Sequence, residues 1–337
     1  MKIAVDATGG EYAPHEIVKG AIKAAREYEV EIALVGRKEI LYVLAGKHLA
    51  KLNMSIIDAG QVIGSQESPV EAVKTKPDSS IVVGTNLVKN GEASAFVSAG
   101  NTGAVLFSAL AHLGKIEGIA RPAIGSLINV GTFSPVLLID AGANAECRPE
   151  HLVQFAQLGS TYVREIFSVE SPRVGLLNNG EEEKKGNRLS QESYKLLKGS
   201  KVNFIGNVEG QDLITGKVDV MVTDGFTGNI VLKTLEGLTT TWLHSLGQAG
   251  QVFSKAYSLS NRALRRDMGM DSWAKKLDYR ESGGACLLGV NGNIIISHGR
   301  SQATAIKNAI GLARQTSERD ISEKLKEDDY DQTDTGG

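Results

Sequence analysis

Four short polar turns, each closing an apolar run, carry most of the residues able to do chemistry in this chain. They are residues 6–10 (DATGG), 98–103 (SAGNTG), 140–144 (DAGAN) and 224–229 (DGFTGN). Glycine tolerates positive φ and leaves backbone N–H groups open, so such a turn at a strand's carboxyl end, with a helix just beyond, suits an anion. The candidate ligands are Asp6, Gly9 and Gly10, then Ser98, Gly100, Asn101 and Thr102, then Asp140 and Asn144, then Asp224, Thr227, Gly228 and Asn229. Converging, the four turns would make a phosphate pocket. For Asn101 and Thr102, just ahead of a helix expected over 104–112, plain helix capping is the competing reading.

Residues 178–187 (NNGEEEKKGN) differ in kind. They follow an apolar run ending at Leu177, and Lys184 and Lys185 would bring cations to a pocket otherwise short of bases. A charged, solvated loop is the alternative on composition alone. Position favours function, because ligands in open α/β sheets bind beyond the carboxyl ends of the strands. Cys147 invites a role as acyl acceptor, but no activating base lies near it in sequence, and a free cysteine is more often a small buried residue.

Several familiar chemistries are excluded. No two glycines are separated by a single residue, which removes the dinucleotide and kinase glycine-rich fingerprints, and no Walker A motif is present. The six histidines form no His-Glu-x-x-His pair, the two cysteines lie far apart, and no Gly-x-Ser-x-Gly elbow occurs. No cofactor and no local metal set are expected, although distant carboxylates would still be able to assemble one.

The elements that must position these turns follow from pattern. The chain has 337 residues, 42% hydrophobic and 23% charged, with a net charge of -2 that gives no global attraction to nucleic acid. With no apolar run near the roughly 20 residues that span a bilayer, few cysteines and a charged first strand, the expected compartment is the cytoplasm. Strand-like runs at 2–6, 31–35, 55–58, 95–98, 136–140, 173–177, 202–205 and 218–223 alternate with helical patterns. A hairpin over 285–297 and a helix over 301–317 follow. This predicts one doubly wound α/β/α domain over 1–318 with a mostly parallel sheet. From Arg319 onward seven acids stand against three bases, so 319–337 reads as an acidic, disordered tail.

Residues 239–279 break the alternation with basic, amphipathic helical spacing. Trp242, Phe253, Arg262, Arg265, Arg266 and Trp273 are the candidates there for membrane or partner contact. Packing at a dimer interface explains the same pattern.

Read in order, KIAVDATGGEYAP, SAGNTGA, RPA, DAGAN with RPEHL, GLLNNGEEEKKGN, NFIGNVEG, VTDGFTGNIVLKTLEG and ESGGACLLGVNG strongly resemble the bacterial PlsX family of acyl-acyl carrier protein:phosphate acyltransferases. The resemblance runs from Met1 to about Ser317. It implies a fold similar to phosphotransacetylase and the isocitrate dehydrogenase group, a homodimer, and transfer of a fatty acyl group from acyl carrier protein to inorganic phosphate. It also implies peripheral membrane association and hand-over of acyl phosphate to a downstream membrane acyltransferase. It places Lys184, Asp224 and Asn229 in the catalytic neighbourhood: Lys184 neutralising phosphate or the oxyanion, Asn229 hydrogen bonding the reacting oxygens, and Asp224 orienting Lys184 or a proton. Gly9, Gly10, Ser98, Asn101 and Thr102 would cradle phosphate or the pantetheine arm. Thr8, where many relatives carry Met, and the acidic EEE before Lys184 depart from the family pattern; the acids would favour the charged lysine. A coenzyme A-dependent phosphotransacetylase, a metal-dependent decarboxylating dehydrogenase and a non-enzymatic carrier-protein scaffold remain the alternatives.

Overall fold

The computed structural model describes residues 1–129, 134–238, 241, 283–328 and 330. Apart from Thr241, the amphipathic segment 239–279 lies outside them, and with it Trp242, Phe253, Arg262, Arg265, Arg266 and Trp273.

The apolar runs become one eleven-stranded sheet. In chain order the strands are β1 (Lys2–Asp6), β2 (Glu31–Gly36), β3 (Met54–Asp58), β4 (Ala95–Ser98), β5 (Ala123–Ile128), β6 (Val136–Ile139), β7 (Arg173–Leu177), β8 (Asn203–Val208), β9 (Val220–Val222), β10 (Ala285–Leu288) and β11 (Asn293–Ile296). Across the sheet they run β3-β2-β1-β4-β11-β10-β5-β6-β9-β7-β8. Most are buried on both faces, which is why they read as continuous apolar runs rather than alternating ones.

The helices are α1 (His15–Tyr28), α2 (Lys38–Ala45), α3 (Pro69–Thr75), α4 (Ser80–Lys89), α5 (Thr102–His112), α6 (Pro149–Phe167), α7 (Arg188–Lys198), α8 (225–238), α9 (Ala303–Glu318) and α10 (Ile321–Glu327). Pro14 immediately precedes α1 and Pro149 opens α6, where a missing N–H costs nothing. At Gly20 of α1 a Cβ would lie 2.6 Å from Cβ of Ile306 on α9, so the absent side chain sets how closely those helices pack.

Seven strand pairs are parallel and three are antiparallel, and the three decide the geometry of the site. β10 opposes both β11 and β5, and β5 opposes β6. The block β6, β9, β7, β8 therefore runs opposite to β1–β4. Carboxyl ends of the first block leave one edge of the sheet; those of the second leave the other.

Strand β5 is the element missing from the sequence reading. Its AIGSLI core hides behind Gly125 and Ser126, and at Gly125 the place of a side chain is taken by Leu137 and Leu288, 3.1 and 3.2 Å from an ideal Cβ. The disordered tail also needs correction, because residues 321–327 form α10. Ile321 and Leu325, one turn apart, are each 2% exposed, and Tyr330 is 4% exposed. Asp328 accepts a hydrogen bond from the Thr161 hydroxyl and pairs with Arg164 at 3.6 Å. Glu323 and Glu327 are exposed on the other side of the helix, so a charge count conceals an amphipathic turn. Among the described residues no helix is long and apolar enough to cross a membrane.

Candidate functional site

The strand reversal separates the four polar turns into two clusters. Asp6, Gly9, Gly10, Ser98, Gly100, Asn101 and Thr102 gather beyond β1 and β4; Asp140, Asn144, Asp224, Thr227, Gly228 and Asn229 gather beyond β6 and β9. No hydrogen bond among the described residues joins the two. From Asp224 to Glu236, α8 covers about 18 Å at 1.5 Å per residue, and Glu236 then meets His298, at the first edge, at 3.7 Å. Among the described residues the four turns form two clusters rather than one.

In the first cluster the polar atoms hold the turn itself. Asp6, 1% exposed, accepts from the N–H groups of Thr8 and Gly9 at 3.0 Å each and from the Ser98 hydroxyl at 2.7 Å. Ser98 in turn accepts from the Gly100 N–H at 3.0 Å, and Thr8 shares a 2.6 Å bond with Ser80. Gly9 has no room for a side chain beside Asp6 and Gly100, and Gly10 takes φ +104°. Asn101 caps α5, whose first residue is Thr102, by accepting from the Ala104 N–H at 3.1 Å; its amide donates to the carbonyls of Gly64 and Glu67 at 3.2 Å each. Capping, the plainer of the two readings, is what the structure shows for Asn101.

The second cluster is organised around Asp140. Its carboxylate is fully buried and takes five donors: the N–H groups of Ile124, Gly142, Ala143 and Asn144, and the Asn144 amide, at 2.8–3.0 Å. Burial pushes the Asp140 carboxyl above the ordinary carboxylate range, while those donors act in the other direction. Every partner is a donor, so the site is built for the anion. The neighbouring strand closes the frame, since Asn144 also donates to the Pro122 carbonyl at 2.8 Å. Gly228 admits no side chain because a Cβ would overlap the Asp140 carbonyl, and at Gly225 a Cβ would lie 2.7 Å from the Asn144 backbone.

Asp224 caps α8, accepting from the Thr227 N–H and hydroxyl at 2.8 Å each. Together with the Gly225 N–H bound to Asn144, this uses up most of the N–H groups that the glycine turns would have turned toward an anion. An anion here must therefore be held largely by side chains.

Those side chains come from ordered backbone. In the 178–187 loop, Asn207 donates to the Glu182 carbonyl at 2.8 Å, Gln191 to the carbonyls of Lys184 and Gly186 at 2.9 and 3.1 Å, and Asn178 to that of Lys185 at 3.1 Å. Gly186 takes φ +90° against Asn178. Two of the three acids before Lys184 are engaged elsewhere: Glu181 with Lys217 at 2.5 Å and Glu183 with Lys198 at 3.5 Å. Lys184 and Lys185 are exposed, and their amines have no partner among the described residues. The Asn229 amide is likewise unengaged.

Between the loop and the second cluster lies a cavity of about 430 Å³. Asn178, Asn187, Asp224 and Thr227 give it a polar side; Leu152, Leu176, Leu189 and Val231 give it an apolar one. Cys147 sits beside it, within reach of the charges of Asp140 and Asp224. Burial pushes the Cys147 thiol up to about 11, against the opposing effect of the Gly225 N–H, which disfavours a nucleophilic thiolate. Sequence reasoning assigned no role to Arg121, although the RPA motif that carries it opens β5 beside Asp140. Among the described residues no group of His, Cys, Asp and Glu is placed to hold a metal ion.

The strand order and the covering helices define a mostly parallel α/β sandwich, the fold that phosphotransacetylases share. A phosphotransacetylase from Streptococcus pyogenes superposes with a TM-score of 0.59 over 94% of each chain, at 19% identity, which establishes the shared fold. Residues 1–324 match the fatty acid synthesis protein family, and the chain belongs to that family, PlsX. The chain is 55% identical to a phosphate acyltransferase of Dehalococcoides mccartyi over 100% of its own length and 96% of the relative's. It is 48% identical to one of Dictyoglomus turgidum over 97% of each.

Proposed function

We propose that this protein transfers a long-chain fatty acyl group from acyl carrier protein to inorganic phosphate, releasing acyl phosphate for phospholipid synthesis. Family membership and the phosphate acyltransferase relatives support acyl transfer to phosphate. The observation that carries the local chemistry is the cavity itself, polar along Asp224 and Thr227 and apolar along Leu152 and Val231. It matches a thioester whose carbonyl must meet an anion while its arm lies against hydrocarbon.

Phosphate is already anionic at neutral pH, so the protein's task is to place it against the thioester carbonyl and stabilise the oxyanion. A phosphate oxygen bonds to the acyl carbon, the carbon–sulfur bond breaks, and the thiolate leaves to take up a proton. Lys184 neutralises the phosphate or the oxyanion, Asn229 hydrogen bonds the reacting oxygens, and Asp224, fixed by Thr227, orients Lys184 or a proton in transit. No covalent enzyme intermediate is needed, in keeping with a protonated Cys147. A homodimer in the cytoplasm, attached peripherally to the membrane through 239–279 and feeding a membrane acyltransferase, completes the proposal.

The test is phosphate-dependent release of free carrier thiol from a long-chain acyl carrier protein, with acyl phosphate identified as product. Lys184→Ala and Asn229→Ala should each lower that rate without unfolding the protein. Equal rates with and without phosphate would overturn the assignment, and a preference for short coenzyme A thioesters would move it to the phosphotransacetylase reaction.

A further inference from the structure

The turn N–H groups of the second cluster are spent on Asp140, Asp224 and Asn144, so a phosphate bound beside them needs a cation that the protein does not already pair. Arg121 fits that need in three respects. It is exposed, and its guanidinium has neither hydrogen bond nor ion pair among the described residues. It belongs to the edge that holds Asp140, because the antiparallel pairing of β5 with β6 sets the start of β5 against the end of β6. Its backbone is also strapped down on both sides.

The straps are specific. Ahead of Arg121, the amide of Gln154 donates to the Gly118 carbonyl at 2.9 Å and its oxygen accepts from the Ala120 N–H at 2.8 Å, while Lys115 donates to the Ala120 carbonyl at 2.8 Å. Behind it, the Pro122 carbonyl accepts from Asn144 and the Ile124 N–H donates to Asp140. Gln154 and Asn144 are each 7% exposed and Asp140 fully buried, so these anchors belong to the core rather than the surface. Fixing a short segment this firmly, and leaving the one charged side chain on it unpaired, is the arrangement of a preorganised binding group. Burial first, and then the Arg121 charge, hold His151 below the ordinary histidine range. Asn144, which holds the Pro122 carbonyl, also accepts from the Gly225 N–H at 2.8 Å, and Gly225 directly follows Asp224 of the cavity wall.

We propose that Arg121 binds the inorganic phosphate acceptor through its guanidinium, supplying, in addition to Lys184, a side-chain cation that the glycine turns do not replace. The inference rests on the phosphate acyltransfer reading. A planar fork of N–H donors matches two phosphate oxygens, which a lysine amine cannot do.

The experiment compares wild type, Arg121→Gln and Arg121→Lys in thiol release from a long-chain acyl thioester, titrating phosphate and thioester separately. Arg121→Gln should raise KM for phosphate about tenfold or more, the loss expected for a charge-assisted hydrogen bond, with kcat and KM for the thioester held within about threefold. Arg121→Lys should recover part of the loss. Line broadening of the phosphate ³¹P resonance by wild type, lost in Arg121→Gln, gives a readout that needs no turnover. An unchanged KM for phosphate, or a rise confined to the thioester, overturns the role of Arg121 and leaves the acyltransfer reading standing. Absence of phosphate-dependent turnover in wild type sinks that reading instead, and the ³¹P comparison still decides whether Arg121 holds phosphate. An unchanged thermal midpoint in both variants shows that the fold is intact.

Discussion

The side chain of Asn229 rests against Gly142: a Cβ placed on that glycine would lie 3.5 Å from Cγ of Asn229, and Gly142 itself takes φ +141°. Two turns from different strands are thereby matched. Gly142 is held by the carboxylate of Asp140, and Asn229 stands on the first turns of α8. The buried acid thus sets the position of the amide assigned to the reacting oxygens.

Gly142→Ala should injure catalysis more than folding. The new methyl lies at ordinary contact distance from Asn229 but strains a backbone that L-residues rarely adopt, at a stability cost of about 1–3 kcal/mol, and relief of that strain shifts the turn against Asn229. Displacing a reacting group by even part of an ångström should lower kcat by about tenfold or more. Urea unfolding and thiol-release kinetics on the same preparation separate the two effects. Full kcat in a folded Gly142→Ala protein would show that Asn229 does not depend on this contact.

The Cys147 thiol yields a pH prediction. With burial holding it up at about 11, only about a thousandth is thiolate at pH 8, from the tenfold change in ionisation per pH unit. The thiol is neutral below its pKa, so alkylation by iodoacetamide should be slow at pH 8, rise about tenfold per unit and level off only above 11. Cys286 is 3% exposed and pushed up to about 12, so it contributes little to the modification. Cys147→Ala should retain thiol release. Rapid labelling at pH 7, or loss of turnover in Cys147→Ala, would restore the acyl-acceptor role.

Much of this site was legible in the residues. DAGAN and DGFTGN each end a strand and meet beyond β6 and β9, and NNGEEEKKGN borders the same cavity, because polar residues after an apolar run mark strand ends whatever the topology. What could not be read was direction. The parallel alternation conveys nothing about three antiparallel pairs in mid-sheet, and β5, which takes part in two of them, lies hidden behind Gly125 and Ser126. For that reason DATGG and SAGNTG read as converging with the others, whereas among the described residues they leave the opposite edge of the sheet. Arg121 was passed over for a related reason: a lone arginine before a proline has no local pattern, and its straps come from Gln154 and Asn144, far away in sequence. Leu325 and Ile321 were lost among acids because two apolar residues make too short a period to register.

Those two residues tie the chain's end to its body, and Leu325→Ala tests the point. Leu325 is 2% exposed and packs in the main core with Ile321 and Tyr330. Truncating it should cost about 2–5 kcal/mol, as for other buried leucines. Chemical denaturation should show this as a lower midpoint with an unchanged slope, and a stable variant would return the tail to the solvated class.

Asn101 discriminates between the two edges of the sheet. Its oxygen caps α5 and its amide holds the carbonyls of Gly64 and Glu67, so both ends of the side chain serve the fold. Asn101→Ala should cost about 1 kcal/mol for the cap, with a further loss as the 64–67 loop is released. It should leave KM for phosphate unchanged, because phosphate is assigned to the edge beyond β6 and β9. Asn229→Ala should do the reverse, lowering turnover with little change in unfolding, since its amide has no partner among the described residues. Measured together, the pair separates binding at one edge from binding at both: a clear rise in KM for phosphate in a folded Asn101→Ala protein would mean that the acceptor reaches the Ser98 turn after all.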